Sequence, residues 1–216
     1  MTGQRASRTF LILWSFYTAA LGLAVLGTGQ LELHRAMHPF HSSTLDQFFT
    51  HITHLGDGVV PTVLALVILL LRDVRSFLMM GISCAASALI VQAMKHAFAY
   101  DRPFMFKQQL GELHWVDGLE LHHHLSFPSG HATASFSMCY ALAVLIGRNG
   151  IAAALAVLAI VIAYSRVYLS QHFSEDILAG SAIGVITALL VHRWLYGPAM
   201  MTRRWPGKRL LGQLNQ

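Results

Sequence analysis

Charge is scarce in this chain. Its 216 residues include only 15 basic and 10 acidic ones, while 55% are hydrophobic and the mean hydropathy is +0.52. That balance excludes both a soluble globule and a disordered chain. Cysteine is nearly absent: Cys84 and Cys139 both fall inside apolar stretches, so neither a disulfide framework nor a CxxC metal pair follows. There is no internal repeat or low-complexity tract, and the length excludes a large multi-domain enzyme. The net charge of +5 comes from residues scattered between uncharged stretches, without the basic patch and interleaved aromatics of a nucleic-acid surface. What remains is a polytopic membrane protein, one domain over residues 1–216.

A bilayer core needs roughly 20 apolar residues per helix. Stretches free of Asp, Glu, Lys and Arg occur at 9–31, 58–71, 76–94, about 131–147, 149–165 and 177–192. The expected fold is therefore all-α, a bundle of six transmembrane helices. The second stretch is short and contains Pro61, so it starts before Asp57 or continues an interfacial segment. The first follows Arg5 and Arg8 as a signal peptide would, but its length and the lack of a cleavage site read as a retained anchor. Between the first two, Leu45, Phe48, Phe49, Ile52 and Leu55 recur at helical spacing. They predict a short amphipathic helix, either lying in the headgroup region or packed over the bundle.

Six crossings put both termini on one side, and the positive-inside bias makes that side cytoplasmic. Arg5, Arg8, Arg72, Arg75, Arg148, Arg193 and the basic tail over 197–216, with Arg203, Arg204, Lys208 and Arg209, fall there. Every acidic residue except Asp73 and every histidine except His192 falls on the other side. The chemistry is expected at that extracytoplasmic face, in a design that suits a bacterial inner membrane.

Three polar clusters share this face. The first, Lys95 to Pro103, closes the third stretch. Lys95 alone could merely snorkel to the interface, but Pro103 biases Arg102 toward an extended conformation that folds its guanidinium back over the helix end. Two fixed cations there call for an anion. The second is Phe127-Pro128-Ser129-Gly130-His131. Ser129 is a plain N-cap on its own, yet Gly130 lets a ligand approach the backbone, and the first amides of the helix point at it with the positive dipole end behind them. His131 adds a titratable group. The third runs from Ser165 to Asp176 and holds Arg166, His172 and Asp176. If it is helical, His172 and Asp176 share a face, the carboxylate takes the Nδ1 hydrogen, and Nε2 keeps a free lone pair.

Phosphoryl transfer uses all of these groups, since its catalysis is largely positioning and charge stabilisation around three equatorial oxygens. Lys95, Arg102, Arg166 and the Ser129-Gly130 amides would bind those oxygens. His172, oriented by Asp176, would attack phosphorus, and His131 would serve as acid and then base.

The motifs K-x6-R-P, P-S-G-H and S-R-x5-H-x3-D, in this order, resemble the type-2 phosphatidic acid phosphatase family of the lipid phosphate phosphatase and vanadium haloperoxidase superfamily. The resemblance runs over about residues 45–195, including Leu55-Gly56-Asp57. It implies a six-helix membrane bundle and a metal-independent phosphatase without a cofactor. It also implies His172 as nucleophile, Asp176 as its orienting partner, His131 as acid/base, and phosphate binding by Lys95, Arg102, Ser129, Gly130 and Arg166. The apolar stretches argue against the soluble haloperoxidase branch. The expected partners are the bilayer and a lipid phosphate, such as undecaprenyl diphosphate, phosphatidylglycerol phosphate, phosphatidate or lipid A.

Other readings are weaker. The run His122-His123-His124 suggests a metal, but consecutive histidines cannot all face one ion in regular structure, and no HExxH is present. A transporter would hold its charges at mid-membrane, whereas these cluster at one face. Gly180 and Gly184 read as helix-packing residues. A phosphotransferase would share the first half-reaction and differ only in the acceptor. The 33 residues from His96 to Pro128 are long for a loop and predict a lid or interfacial helix, anchored by Trp115 and Tyr100.

Overall fold

Long apolar stretches satisfy their backbone in hydrocarbon only by bonding within themselves. Every regular element among the described residues is accordingly helical. The computed structural model describes residues 2–38 and 40–203. In chain order the elements are α1 (Thr2–Gly27), α2 (Gln30–Ala36), α3 (Ser43–Ile52) with a 3-10 turn (Thr53–Gly56), and α4 (Val59–Leu71). Then come α5 (Val74–Phe98), a 3-10 turn (Pro103–Phe106), α6 (Lys107–Leu110) and α7 (Gly130–Ile146). The last are α8 (Asn149–Tyr168), α9 (Ser174–Leu195) and α10 (Pro198–Met201). Of the basic tail, Arg204, Lys208 and Arg209 lie outside the described residues.

Each of the six apolar stretches is a helix. Four are long and apolar enough to cross a membrane: α1, α5 with its continuation to Leu110, α8 and α9. A fifth arises if α4 and the segment Ser43–Gly56, which meet at a 51° bend, count as one span. That bend is the junction expected from Pro61 and Asp57. The sixth, α7, has 17 residues and a length of about 25 Å.

α7 is buried all round, with Phe136, Cys139, Tyr140 and Ala141 at zero exposure, and it packs against α1, α5, α8 and α9. A helix apolar on every face belongs at the centre of a bundle. α1 packs on it through buried Phe10, edge-on to Phe136 and Tyr140, and through Ser7, whose Oγ lies 2.8 Å from the Tyr140 hydroxyl. α3 buries Phe49 against Tyr164 and Tyr168 while Phe48 and Leu55 stay exposed. One face of α3 thus covers the bundle, and another apolar edge is left open. Cys84 and Cys139 are free thiols.

The contact of α7 with α9 depends on two glycines. A Cβ on Gly180 would sit 2.5 Å from the Ser129 carbonyl oxygen, and one on Gly184 would sit 2.5 Å from that of Thr133. Hydrogen bonds join the same surfaces, from Thr133 Oγ1 to the Gly180 carbonyl (3.0 Å) and from the Ser129 amide to the Asp176 carbonyl (3.0 Å). The N-termini of α7 and α9 are thereby locked side by side. Gly180→Ala is expected to destabilise the fold by about 1–3 kcal/mol, because backbone must move to admit the methyl group. Thermal unfolding in detergent checks this, and an unchanged midpoint would refute it.

The described ends of the chain share one end of the bundle. Gly3, Gln4, Arg193 and Pro198 line a cavity there with Arg72 and Asp73 of the α4–α5 turn and Leu145 of α7. The helices carry Lys95, His131, Arg166 and Asp176 at their opposite ends.

Candidate active site

The site grows from three helix ends and the loops that leave them. α5 ends at Ala99, which takes a left-handed conformation with φ 49° and bonds back to the Lys95 carbonyl. Arg102 is extended, at φ −90° and ψ 164°, as Pro103 dictates. Its guanidinium folds back: Nε donates to the His124 carbonyl (2.9 Å), Nη1 to the Gln171 carbonyl (3.2 Å), and Nη2 to the Leu125 carbonyl (3.4 Å). Lys95 Nζ donates to the same Leu125 carbonyl at 3.0 Å. One oxygen therefore holds two cations, presented by a residue at φ 58°.

α7 begins at Ser129, whose Oγ accepts the Ala132 amide at 3.4 Å. Nothing lies within 4 Å of where a Gly130 Cβ would be, so space for a ligand opens at the positive end of the helix dipole. At the end of α8, Arg166 is 8% exposed. Its Nη1 donates to Thr53 Oγ1 at 2.8 Å, while its buried Nε has no partner among the described residues. A buried guanidinium N–H without an acceptor is costly unless an anion completes it.

After α8 the chain turns tightly, with Ser170 at φ 50° and the Gln171 and His172 amides both bonded to the Arg166 carbonyl. His172 is therefore not helical; it precedes α9, and Asp176 stands at the third position of that helix. The pair forms nonetheless, with Nδ1 3.3 Å from Asp176 Oδ2. The same oxygen accepts the Ser126 hydroxyl (2.6 Å) and the Phe173 amide (2.8 Å). Ser126 Oγ also lies 3.4 Å from His172 Nδ1. The carboxylate and Ser126 thus hold Nδ1, leaving Nε2 for chemistry.

These groups converge on a cavity of about 310 Å³. Lys95, Arg102, Gly130, His131, Arg166 and His172 line it, with small residues of α5 and α7 below, Cys84, Ser87 and Ala134 among them. Of the predicted residues, Asp176 stands behind His172, and Ser129 spends its side chain on capping. His172 is 1% exposed. Burial first, and then the charges of Arg102, Arg166 and Lys95, hold its pKa well below the ordinary histidine value. The imidazole is neutral, the form with a lone pair to donate. Protonation removes that form only when pH falls well below the ordinary value, so histidine-selective nitrogen NMR at about pH 6 is expected to show His172 uncharged. An imidazolium signal for it would refute this.

A family model described as "PAP2 superfamily" matches residues 76–198, more than half of the chain and all three clusters. The chain belongs to the PAP2 superfamily. Over 110 residues it is 39% identical to a protein of Escherichia coli (strain K12) whose name reads "Putative undecaprenyl-diphosphatase YbjG". That match covers 50% of this chain and 52% of the relative, so the chain spans about half the length of the curated relative it matches. Among solved structures it is similar to LpxE of Aquifex aeolicus, with a TM-score of 0.67 and 28% identity over 76% of this chain and 94% of the other. A second is the first transmembrane PAP2 type phosphatidylglycerolphosphate phosphatase from Bacillus subtilis. There the TM-score is 0.49 and identity 22%, over 92% of this chain and 98% of that one.

Several groups around this PAP2 site were not read from the sequence as parts of it. Ser126 braces the His172–Asp176 pair, Thr53 holds Arg166, and Asp57 Oδ1 lies 2.8 Å from His131 Nε2. The histidine run divides three ways. His122 lines the cavity, His123 packs against Phe104, and His124 lies 2.6 Å from Asp101. Among the described residues no group of three or more metal-ligating side chains is gathered.

The segment between α5 and α7, expected as a lid or interfacial helix, is pinned at several points. Arg35 donates to the carbonyls of Gln109 and Leu110, His114 lies 3.0 Å from Asp46, and Gln171 Nε2 donates to the Glu120 carbonyl at 3.1 Å. Tyr100 is half exposed, as an interfacial anchor would be. Trp115 instead packs edge-on against Phe104 with its Nε1 buried, so it stiffens the segment.

Proposed function

We propose that this protein is an integral-membrane lipid phosphatase that works through a phosphohistidine. One observation carries the reading: a neutral, carboxylate-braced His172 opens onto a cavity ringed by Lys95, Arg102, Arg166 and the N-terminus of α7. Cations and helix amides suit the phosphoryl oxygens, and the unpaired Arg166 Nε supplies a donor for one of them.

In the first step His172 Nε2 attacks phosphorus, the bond to the leaving oxygen breaks, and His131 gives that oxygen a proton. In the second, water attacks the phosphohistidine, His131 takes its proton, and phosphate leaves with His172 restored. Arg102 and Arg166 bond the equatorial oxygens through planar forks that remain charged throughout.

The protein is a six-span bundle in this reading, with α3 and α4 sharing a bent crossing and α7 as the short central one. A helix of about 25 Å reaches across most of the roughly 30 Å hydrocarbon core. The terminus-bearing end, with Arg72, Arg75 and Arg193, is cytoplasmic, and the site is extracytoplasmic in a bacterial inner membrane. The name of the Escherichia coli relative supports undecaprenyl diphosphate as the substrate to try first.

Purified protein in detergent with excess EDTA is expected to release phosphate from undecaprenyl diphosphate, with phosphatidylglycerol phosphate and phosphatidate as comparisons. Silence on all three would overturn the reading and favour a phosphotransferase awaiting its acceptor. Loss of release in EDTA would overturn the metal-independent mechanism.

A further inference from the structure

Of the histidines that line the cavity, His172 and His131 each have a carboxylate within ion-pair distance. His172 meets Asp176 through Nδ1; His131 meets Asp57 through the opposite nitrogen, Nε2, at 2.8 Å. Asp57 is itself held, because its other oxygen lies 2.9 Å from Nδ1 of His54, an exposed residue of the turn that follows α3. The backbone beside it is fixed by contact: a Cβ on Gly56 would sit 2.9 Å from Ile162 Cγ2, 3.1 Å from His131 Cβ and 3.2 Å from His131 Cδ2. Gly56 is therefore pressed against the Cδ2 edge of the imidazole, which carries Nε2. The ring's other edge, with Nδ1, turns away from this turn.

We propose that Asp57 is the carboxylate of a second, inverted histidine–carboxylate pair, in which His131 is held by Nε2 and exchanges its catalytic proton through Nδ1. The proposal rests on the phosphatase reading and assigns the positioning residue that reading lacks. Lys95 from α5, Arg166 from α8 and His172 from the loop after α8 line the same cavity as His131, and Asp57 meets it from the turn after α3 with His54 on the far side of the carboxylate. Positive charge on Lys95 and Arg166 opposes a proton on this imidazole, and the carboxylate at 2.8 Å counters it. In the first step the Nδ1 proton passes to the leaving oxygen as the P–O bond breaks and the bond from His172 Nε2 to phosphorus forms. In the second, water gives Nδ1 a proton as its oxygen takes phosphorus from His172. Asp57 keeps its charge and touches no substrate atom.

This role has a signature that a structural role lacks. A lipid alkoxide leaves only with a proton, whereas p-nitrophenolate leaves without one. Wild type, Asp57→Asn and His131→Ala would be compared on dodecyl phosphate and on p-nitrophenyl phosphate in detergent. Asp57→Asn is expected to lower kcat/KM, which reports the first step alone, about 100-fold on dodecyl phosphate and by less than roughly threefold on p-nitrophenyl phosphate, with the same split in His131→Ala. Asp57→Glu, which keeps the charge, is expected to recover about tenfold of the dodecyl phosphate loss. Equal losses on both substrates, or no recovery by Glu beyond Asn, would overturn the assignment while leaving the phosphatase reading intact. A wild-type protein inert on both substrates would overturn the phosphatase reading, and this assignment with it.

Discussion

His172→Ala is expected to lower phosphate release by about 10⁴-fold or more, since the first bond to phosphorus has no other donor. The side chain is buried and neutral, with Nδ1 engaged by Asp176 and Ser126. His131, by contrast, has its Nε2 engaged by Asp57. Quenching turnover of labelled substrate in alkali should trap an acid-labile phosphoprotein in wild type and none in the variant. Full turnover without His172 would exclude the phosphohistidine route.

Arg166→Ala is expected to lower kcat/KM by about 10³-fold, the scale of losing a guanidinium that stabilises charge on a transferring phosphoryl group. Of the three cavity cations, Arg166 has a buried N–H with no partner among the described residues, and its Nη1 is fixed by Thr53. Lysine would restore the charge without the fork, so Arg166→Lys should recover little. Steady-state kinetics of both variants on one lipid substrate decide this, and recovery by Lys to near wild type would show that charge alone suffices.

Much of this was legible in the sequence because each signal was local. Charge-free stretches marked six helices, Pro103 set the conformation of Arg102, and Ser129 capped α7 as its type predicts. The four-residue spacing of His172 and Asp176 foretold their meeting, although through a cap and not along a helix. What escaped was whatever depends on contacts distant in sequence. Thr53 reaches Arg166 across 113 residues, and Ser126 reaches Asp176 across 50. A serine before Pro-Ser-Gly and a threonine on an amphipathic helix carry no local mark of such partners. Asp57 stood in a noted segment, but only the packing of Gly56 on His131 shows what it adjoins. A simple length rule counts four or five crossings among the described residues and passes over α7, for a related reason. The buried centre of a bundle can use a helix as short as α7, which is shielded by its neighbours.

The carbonyl of Leu125, shared by Lys95 and Arg102, bears on how fast the enzyme could let go. It is a resident competitor. In the proposed reaction an arriving phosphate would not meet bare charges but displace a neutral oxygen from them, so the net grip is the difference between the two acceptors. When inorganic phosphate departs, the cations fall back on a ligand already in place and are never left stranded. Such a placeholder subtracts the same amount from every anion that displaces it, so it loosens product without changing the preference for the transition state over the substrate.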